Sequence, residues 1–232
     1  MIVFYSEDLH LDTATLEADE YHHCCKVLRH KVGDRLHVTD GKGTTAQAEL
    51  AAISKHSATV KLISKTFKKN PGTQIHLYVA PPKTRARWEW IVEKSVELGI
   101  NSLTALVTQH SERSKINVAR TEKIMRSAAM QSLRPYHPSY RGMVNLSKVL
   151  KDLPDDMDKY LAHYKEGQAQ LAHQSLIHSE SMILIGPEGD FSEKEIEQCN
   201  DLGFRNVNIS EHRLRTETAA IIVVALLKAI GY

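Results

Sequence analysis

The sequence contains little cysteine: three residues in a chain of 232, of which Cys24 and Cys25 are adjacent and Cys199 is distant from both. A disulfide framework needs an even set of spaced cysteines, and a structural zinc site needs ligand pairs a few residues apart, so the sequence predicts neither. Residues 22–25 combine two histidines with two cysteines. Their consecutive side chains diverge in direction, so a partly buried helical segment is the better interpretation, and we expect no metal.

Long apolar runs are also missing. The longest, residues 219–227, has nine residues, whereas a membrane-spanning helix needs about twenty. The N-terminus does not read as a secretory signal, because Glu7 and Asp8 follow the first apolar residues at once. We therefore expect a cytoplasmic protein that does not enter a membrane.

Two common nucleotide-binding loops are absent from the sequence as well. No glycine-rich segment ends in Gly-Lys-Ser/Thr, and there is no dinucleotide fingerprint of the Gly-x-Gly-x-x-Gly type. The charge that is present is unevenly distributed: residues 73–145 carry a net charge of +6, against +1 for residues 1–72 and −5 for residues 146–232. A basic central segment favours a polyanionic partner.

The pattern of apolar residues divides the chain in two. Between residues 35 and 63, three alternating runs joined by Gly-containing turns predict a small β-barrel, preceded by a short helix at residues 19–29 with Asp19 as its cap. The basic stretch ending in Asn70-Pro71-Gly72 has little to bury and marks a boundary. Strands and helices alternate after it, which indicates an α/β domain. The predicted domains are residues 1–70 and 73–232.

Several elements of the second domain have clear end signals. Gly99 stands where a left-handed helix cap would fall, and Ser192 with Glu195 forms a capping box. The last helix is apolar around most of its circumference, so we expect it to be buried, either within the domain or at a dimer interface. The sequence predicts strands at residues 75–80, 103–107, 160–163, 182–185 and 207–209, and helices at residues 85–98, 119–133, 193–202 and 218–230.

The segment Gly186-Pro187-Glu188-Gly189 links an apolar strand to the capped helix. In open α/β sheets, ligands bind beyond the carboxyl ends of the strands. Two glycines let backbone groups approach a ligand closely, since no Cβ intervenes. A tight strand-to-helix turn without a ligand explains this segment equally well.

The segment that leads into the last helix is more informative. Thr216 or Thr218 could cap that helix, and Glu217 suits its first turn because the helix dipole favours an acid there. The same dipole disfavours arginine, yet two arginines precede the helix. Arg215 in this place indicates an anionic or polar ligand.

These segments together resemble a known family, over nearly the whole chain. It is the ribosomal small subunit methyltransferase E family of the SPOUT class, which methylates N3 of a uridine in 16S rRNA. The fragments are individually weak, but their order and spacing are specific. They are residues 23–29 with 31–34 and 40–43, 93–100, 111–114, 131–134, 185–189 and 214–219.

The resemblance implies an α/β fold with two parts: a PUA-like N-terminal barrel that helps to hold RNA, and a SPOUT domain with a deep trefoil knot. It also implies a homodimer that acts on 16S rRNA or the small ribosomal subunit. The cofactor would be S-adenosylmethionine, held largely by backbone groups. The residues implied in cofactor binding are His163, Ile185, Gly186, Glu188, Gly189, Ile209, Ser210, Leu214 and Thr218.

Two catalytic residues are expected on this basis. Arg215 would stabilise negative charge on O2 and O4 of the uracil as N3 loses its proton. Glu217 would either accept that proton or orient Arg215 as its ion-pair partner. We favour orientation, because a helix N-terminus lowers the pKa of a carboxylate. The expected RNA contacts are Arg29, Lys83, Arg85, Arg113, Ser114, Gln131 and Arg134.

The chain departs from the family pattern at two places, both in the predicted cofactor loops. Asp190 stands where the family commonly has a second glycine, and Ser210-Glu211-His212-Arg213 replaces a more glycine-rich run. Two other functions stay open at this point. One is methylation of a ribose 2′-oxygen by the same fold, and the other is ribosome binding without catalysis.

Overall fold

A computed structural model of the chain describes residues 2–70 and 72–231. The chain divides into two compact units: Met1–Pro71 with Ala129–His137, and Gly72–Ala128 with Pro138–Tyr232. Pro71, at the boundary suggested by the sequence, lies outside the described residues. The domain limits at residues 1–70 and 73–232 stay a prediction.

A curled five-stranded sheet forms most of the first unit, in the order β1-β3-β4-β5-β2. β1 is parallel to β3 and the other pairs are antiparallel. Two register shifts between β4 and β5 disturb the ladder, and such irregularities bend a sheet. The strands are Val3–Tyr5 (β1), Thr13–Glu17 (β2), Arg35–Thr39 (β3), Thr44–Ile53 (β4) and Ser57–Phe67 (β5).

The helix predicted at residues 19–29 differs from the one observed. Ala18–Tyr21 (α1) continues into a π-helical segment, His22–Val27, and the N-cap is Glu17 rather than Asp19. A period of 3.6 residues cannot reveal a π-helix, in which each N–H reaches one residue further back. Cys24 is fully buried on this segment. Burial and the adjacent Cys25 raise the pKa of its thiol, which agrees with a structural cysteine.

The segment Ala129–His137 clusters with the first unit, although it lies far along the chain. The Gly43 N–H donates to the Pro135 carbonyl at 2.8 Å, and the His137 N–H donates to the Gly41 carbonyl at 2.8 Å. The His137 ring stacks on Tyr5, with 5.4 Å between ring centroids. This segment therefore pairs with the β3–β4 turn like a short extra strand.

A parallel sheet forms the centre of the second unit. Its strand order is β11-β9-β10-β6-β7-β8, and every pair is parallel. The predicted strands are confirmed, with ends shifted by one or two residues, and β8 was not predicted. The strands are Gln74–Val79 (β6), Ser102–Val107 (β7), Ser139–Asn145 (β8), Asp158–Ala162 (β9), Glu180–Ile185 (β10) and Arg205–Val207 (β11).

Helices flank this sheet. The predicted left-handed cap is confirmed at Gly99, with φ at 107°, and the capping box of Ser192 and Glu195 is confirmed at the start of α5. The last helix packs on α2 and β6 and buries Ala220, Val223 and Leu227. The helices are Arg85–Leu98 (α2), Val118–Gln131 (α3), Leu146–Val149 (α4), Glu193–Asp201 (α5) and Thr216–Ile230 (α6), with a 3₁₀ turn at Leu171–His173.

Strand order does not decide the trefoil knot, which stays a prediction. In the described part of the chain, no helix is long and apolar enough to cross a membrane.

Candidate functional site

Three adjacent strands of the parallel sheet, β11, β9 and β10, end at the same edge. The loops that follow them begin at Asn208, His163 and Gly186. Because parallel strands place their carboxyl ends together, these loops meet there. They enclose a cavity of about 320 Å³, which the N-terminus of α6 completes through Arg215 and Thr216.

The cavity brings together most of the residues predicted to bind a cofactor. Those that line it are His163, Ile185, Gly186, Glu188, Ile209, Ser210 and Leu214. Gly189 and Thr218 are not among its lining residues. Gly189 instead lies against His110, where an added Cβ would come within 3.1 Å of the His110 Cβ.

The two motif segments are directly connected inside this site. The hydroxyl of Thr216, which is buried, donates to the carbonyl oxygen of Gly186 at 3.3 Å. The expectation that Thr216 or Thr218 caps α6 is wrong, because the N-cap is Arg215 and its side chain makes no capping bond. Thr216 fixes the end of β10 relative to α6 instead.

Gly186 has a packing reason to be glycine. A Cβ on Gly186 would lie 3.1 Å from two ring carbons of Phe191, a buried side chain of the same loop. The loop folds back so tightly that the Phe191 ring occupies the space that a side chain at position 186 would need. This close approach explains why position 186 is a glycine.

The loop before α6 crosses to the glycine-containing loop. The Arg213 guanidinium donates to the carbonyl oxygen of Glu188 at 3.3 Å. Within its own loop, the Ser210 hydroxyl accepts from the His212 N–H at 3.1 Å. Arg213 and Ser210, two of the residues that depart from the family pattern, thus help to shape the cavity wall.

Asn208 is a site residue that the sequence did not single out. It is buried, and its side-chain amide donates to the Lys165 carbonyl at 2.7 Å while its side-chain oxygen accepts from the Lys165 N–H at 3.0 Å. It thereby fixes the loop after β9 to the end of β11. The sequence predicted a strand at residues 207–209, which includes Asn208, so its role at the end of the shorter observed strand could not be seen without the fold.

Arg215 lines the cavity and is exposed to solvent. Among the described residues, its guanidinium has no ion-pair or hydrogen-bond partner. The expected pairing with Glu217 is not what the structure shows, because Glu217 pairs with Arg87 of α2, with 3.2 Å between Nε and Oε1. Since α2 packs against α6, Arg87 reaches Glu217 from the neighbouring helix. The other oxygen of Glu217 is buried without a partner among the described residues.

His163 contributes an imidazole to the cavity wall. Burial lowers the pKa of this imidazole; the nearby carboxylate of Asp190 opposes the shift, and Lys165 adds to it. The neutral form is therefore favoured at neutral pH, and it can both donate and accept one hydrogen bond.

The residues expected to bind RNA lie on both units. In the second unit, Lys83 pairs with Glu112 at 3.1 Å and Arg85 with Glu89 at 2.6 Å, while the Arg113 Nε donates to the Lys115 carbonyl at 3.1 Å. Ser114 is exposed there. In the first unit, Arg29 and Gln131 are exposed and Arg134 is half-buried.

Comparison with known families identifies the class of protein to which this site belongs. The sequence profile of the RNA methyltransferase domain matches residues 68–228, and that of the RNA methyltransferase PUA domain matches residues 16–63. The fold and the two profiles together define an RNA methyltransferase with a PUA domain.

Individual relatives narrow this class. The ribosomal RNA small subunit methyltransferase E of Bacillus subtilis is 28% identical over 95% of this chain and 90% of its own. A structure described as a probable rRNA methyltransferase from Porphyromonas gingivalis is 33% identical and superposes with a TM-score of 0.91, covering 100% of this chain and 98% of its own. The chain belongs to the ribosomal RNA small subunit methyltransferase E family.

A third relative has a ligand in its structure. The ribosomal RNA small subunit methyltransferase E of Neisseria gonorrhoeae, bound to S-adenosyl methionine, is 26% identical. It superposes with a TM-score of 0.88, covering 99% of this chain and 97% of its own. The expected architecture, a PUA-like domain and a parallel α/β domain of the SPOUT class, is confirmed.

Proposed function

We propose that this protein transfers a methyl group from S-adenosylmethionine to N3 of a uridine in the 16S rRNA of the small ribosomal subunit. The single observation that carries the proposal is the meeting of both motif segments around one cavity, with the exposed Arg215 in its wall. Membership of the family and the names of its relatives support the choice of substrate.

The residues of the cavity fit the proposed cofactor. A volume of about 320 Å³ lies within the range of small-molecule pockets. The wall combines the apolar residues Ile185, Ile209 and Leu214 with polar residues of the surrounding loops, which suits a ligand with an adenine ring and several hydrogen-bonding groups. When bound, S-adenosylmethionine supplies an electrophilic methyl group on a sulfonium sulfur.

Gly189 and Thr218 would then act without lining the cavity. Gly189 allows the loop to pass close to His110. Thr218 lies in the first turn of α6, three residues after Arg215, and is half-buried. We retain both as residues that hold the shape of the loops around the cofactor.

Arg215 would act on the uracil rather than on the cofactor. N3 of uracil becomes nucleophilic when it loses its proton, and the charge that results spreads to O2 and O4. A guanidinium without another partner can donate to such an oxygen. Glu217 would help to position the start of α6, and with it Arg215, because its carboxylate is bound by Arg87 of the neighbouring helix.

The target uridine must leave any base pair to reach this site, because N3 lies on the Watson–Crick edge. Phosphate and base contacts would come from Arg29, Lys83, Arg85, Arg113, Ser114, Gln131 and Arg134. The exposed ion pairs of Lys83 and Arg85 are compatible with this role, since such pairs contribute only about 0–1 kcal/mol and exchange partners easily. Because ribosomal subunits are in the cytoplasm, we propose that the protein acts there.

We also propose that the protein is a homodimer. On α6, Ala225 and Ala229 are exposed and Ile222 and Leu226 are only half-buried. An apolar side of a helix that is left uncovered by its own chain is suited to a second copy of it.

Two measurements test the proposed chemistry. Isothermal titration calorimetry should detect S-adenosylmethionine binding, and a complete lack of binding would favour a ribosome-binding protein without catalysis. A nucleoside digest of RNA methylated by the protein should contain 3-methyluridine. A ribose-methylated nucleoside in its place would show that the reaction is 2′-O methylation.

A further inference from the structure

Asp190 adopts a backbone conformation that favours glycine. Its φ is +63°, in the left-handed region where most L-residues are strained. Aspartate and asparagine tolerate this region better than other residues because their short side chains bond locally. Here Oδ1 of Asp190 accepts from the Phe191 N–H at 2.8 Å. A glycine would adopt this positive φ without strain, so the backbone conformation does not explain why the chain has a carboxylate at this position.

The position of Asp190 is also fixed from a second side. Nδ1 of His110 lies 3.0 Å from the Asp190 carbonyl oxygen, which can only accept. Held at both its side chain and its carbonyl, Asp190 lines the cavity together with His163, and its carboxylate opposes the lowering of the His163 pKa by burial. The negative charge thus stands in the cavity wall with little freedom to turn away.

The other charged residues of the cavity wall do not supply a comparable fixed negative charge. Among the described residues that line the cavity, Glu188 has the one other carboxylate. Glu188 is exposed, and its Oε1 accepts from the Lys83 N–H at 3.4 Å. Arg213 and Arg215 line the cavity from the opposite loop and would repel a cationic ligand. Asp190 opposes that repulsion.

We infer that Asp190 makes this cavity selective for a positively charged ligand over its neutral counterpart. The inference rests on the proposed function, in which the pair is S-adenosylmethionine and S-adenosylhomocysteine. During transfer, the bond between the methyl carbon and sulfur breaks with its electron pair left on sulfur, while a bond forms to deprotonated N3. The sulfonium becomes a neutral thioether, so the attraction to Asp190 is lost and the product is released in preference to the cofactor.

Calorimetric titration of three ligands tests this. They are S-adenosylmethionine, S-adenosylhomocysteine and sinefungin, which carries a charged amine in place of the sulfonium. The variant Asp190→Asn removes the charge and keeps both the tolerance of positive φ and an oxygen for the Phe191 N–H. Asp190→Gly removes the side chain and relieves the backbone. Asp201→Asn, at the exposed end of α5 and away from the cavity lining, is the matched control.

We expect Asp190→Asn and Asp190→Gly to bind the two cationic ligands about three- to tenfold more weakly, as a charge several ångströms away in a partly screened site would produce. Binding of S-adenosylhomocysteine should change less than about twofold, and Asp201→Asn should leave all three affinities unchanged. An equal loss for all three ligands, or none, would overturn the inference while leaving the proposed function intact. If the unsubstituted protein bound none of them, the proposed function would fall, and the inference with it.

Discussion

The guanidinium of Arg215 and the carboxylate of Glu217 are only two residues apart, yet they face different surroundings. Arg215 is the N-cap of α6, exposed in the cavity wall, and has no partner among the described residues. Glu217 is the second residue of the helix, and its side chain is 13% exposed and bound to Arg87. One group is available to a substrate, and the other is committed to the packing of two helices.

Replacement of Arg215 should therefore affect the chemical step more than cofactor binding. We expect Arg215→Ala to lower kcat about 10²- to 10³-fold, the range for loss of one donor to a developing oxyanion. The dissociation constant for S-adenosylmethionine should stay within about threefold. Steady-state kinetics and calorimetry on the same preparation measure both. Near-normal turnover with intact cofactor binding would contradict the assigned role.

The Arg87–Glu217 pair should contribute to stability. Arg87→Met leaves a largely buried carboxylate without its partner, which we expect to cost about 1–3 kcal/mol in the free energy of unfolding. The double variant Arg87→Met/Glu217→Gln should recover part of that loss, because the uncompensated charge is gone. Urea denaturation of the two single variants and the double variant measures the coupling. Strictly additive losses would show that the two side chains do not interact.

At the residue scale, the sequence could single out Arg215 because an arginine at a helix N-terminus opposes the helix dipole. It could not identify the partner of Glu217. Arg87 lies on another helix, and only the packing of α2 on α6 brings the two together. The nearest oppositely charged residue in sequence was the wrong choice of partner.

Among the elements, the β3–β4 turn of the first unit makes close contacts within itself and with the segment that docks on it. The Asp40 carboxylate accepts from the N–H groups of Lys42 and Thr44, at 2.7 and 3.0 Å. Gly43 has a φ of +107°, and an added Cβ would come within 2.5 Å of the Tyr136 ring and 2.8 Å of the Lys68 carbonyl. The turn is shaped to receive the segment that includes Tyr136.

A methyl group on Gly43 should disrupt this docking. We expect Gly43→Ala to destabilise the protein by about 2–4 kcal/mol, from positive φ and overlap with Tyr136 together. Gly33→Ala is the matched control, since Gly33 also has a positive φ, +95°, but no atom of the described residues lies within 4 Å of an added Cβ. Its loss should be about 1 kcal/mol. Equal losses in thermal or urea unfolding would show that the close approach is unimportant.

The elements that could be predicted were those with local signals. Helix α2 ends at a left-handed glycine, and α5 begins with a capping box, so a few adjacent residues are enough to predict each of these two boundaries. The strands β1 and β8 have no such signal and are stabilised by pairing with β3 and β7. The docking of residues 135–137 onto the β3–β4 turn depends on contacts between segments about ninety residues apart, which no local pattern can reveal.

At the scale of the whole molecule, α6 links the site to the proposed dimer, because its first turn lines the cavity and its later turns expose alanines. We expect Ala225→Arg to convert a dimer into a folded monomer, since a long cation on an exposed position disturbs an interface but not the chain's own core. Light scattering after size-exclusion chromatography measures the mass. Ala86→Arg, on the exposed side of α2, should leave it unchanged. A monomeric unsubstituted protein would contradict the homodimer.

The order of the motifs along the chain predicted the family and the two-part architecture, because each motif occupies a fixed place in the fold, whether in a helix, as at residues 93–98, or in a loop, as at residues 186–189. The same motifs did not show how the loops contact one another. Thr216 holding Gly186, and Arg213 reaching Glu188, became visible only with the three-dimensional structure.

The central claim is methyl transfer to N3 of a uridine in 16S rRNA, and one measurement tests it most directly. Small ribosomal subunits from a strain without this methylation are incubated with the protein and S-adenosylmethionine labelled with tritium in its methyl group, and the label is mapped. We predict label at a single uridine of 16S rRNA, recovered as 3-methyluridine, and labelling that is about 10²- to 10³-fold slower with Arg215→Ala. Label on a ribose, on another RNA, or nowhere in the subunit would contradict the claim.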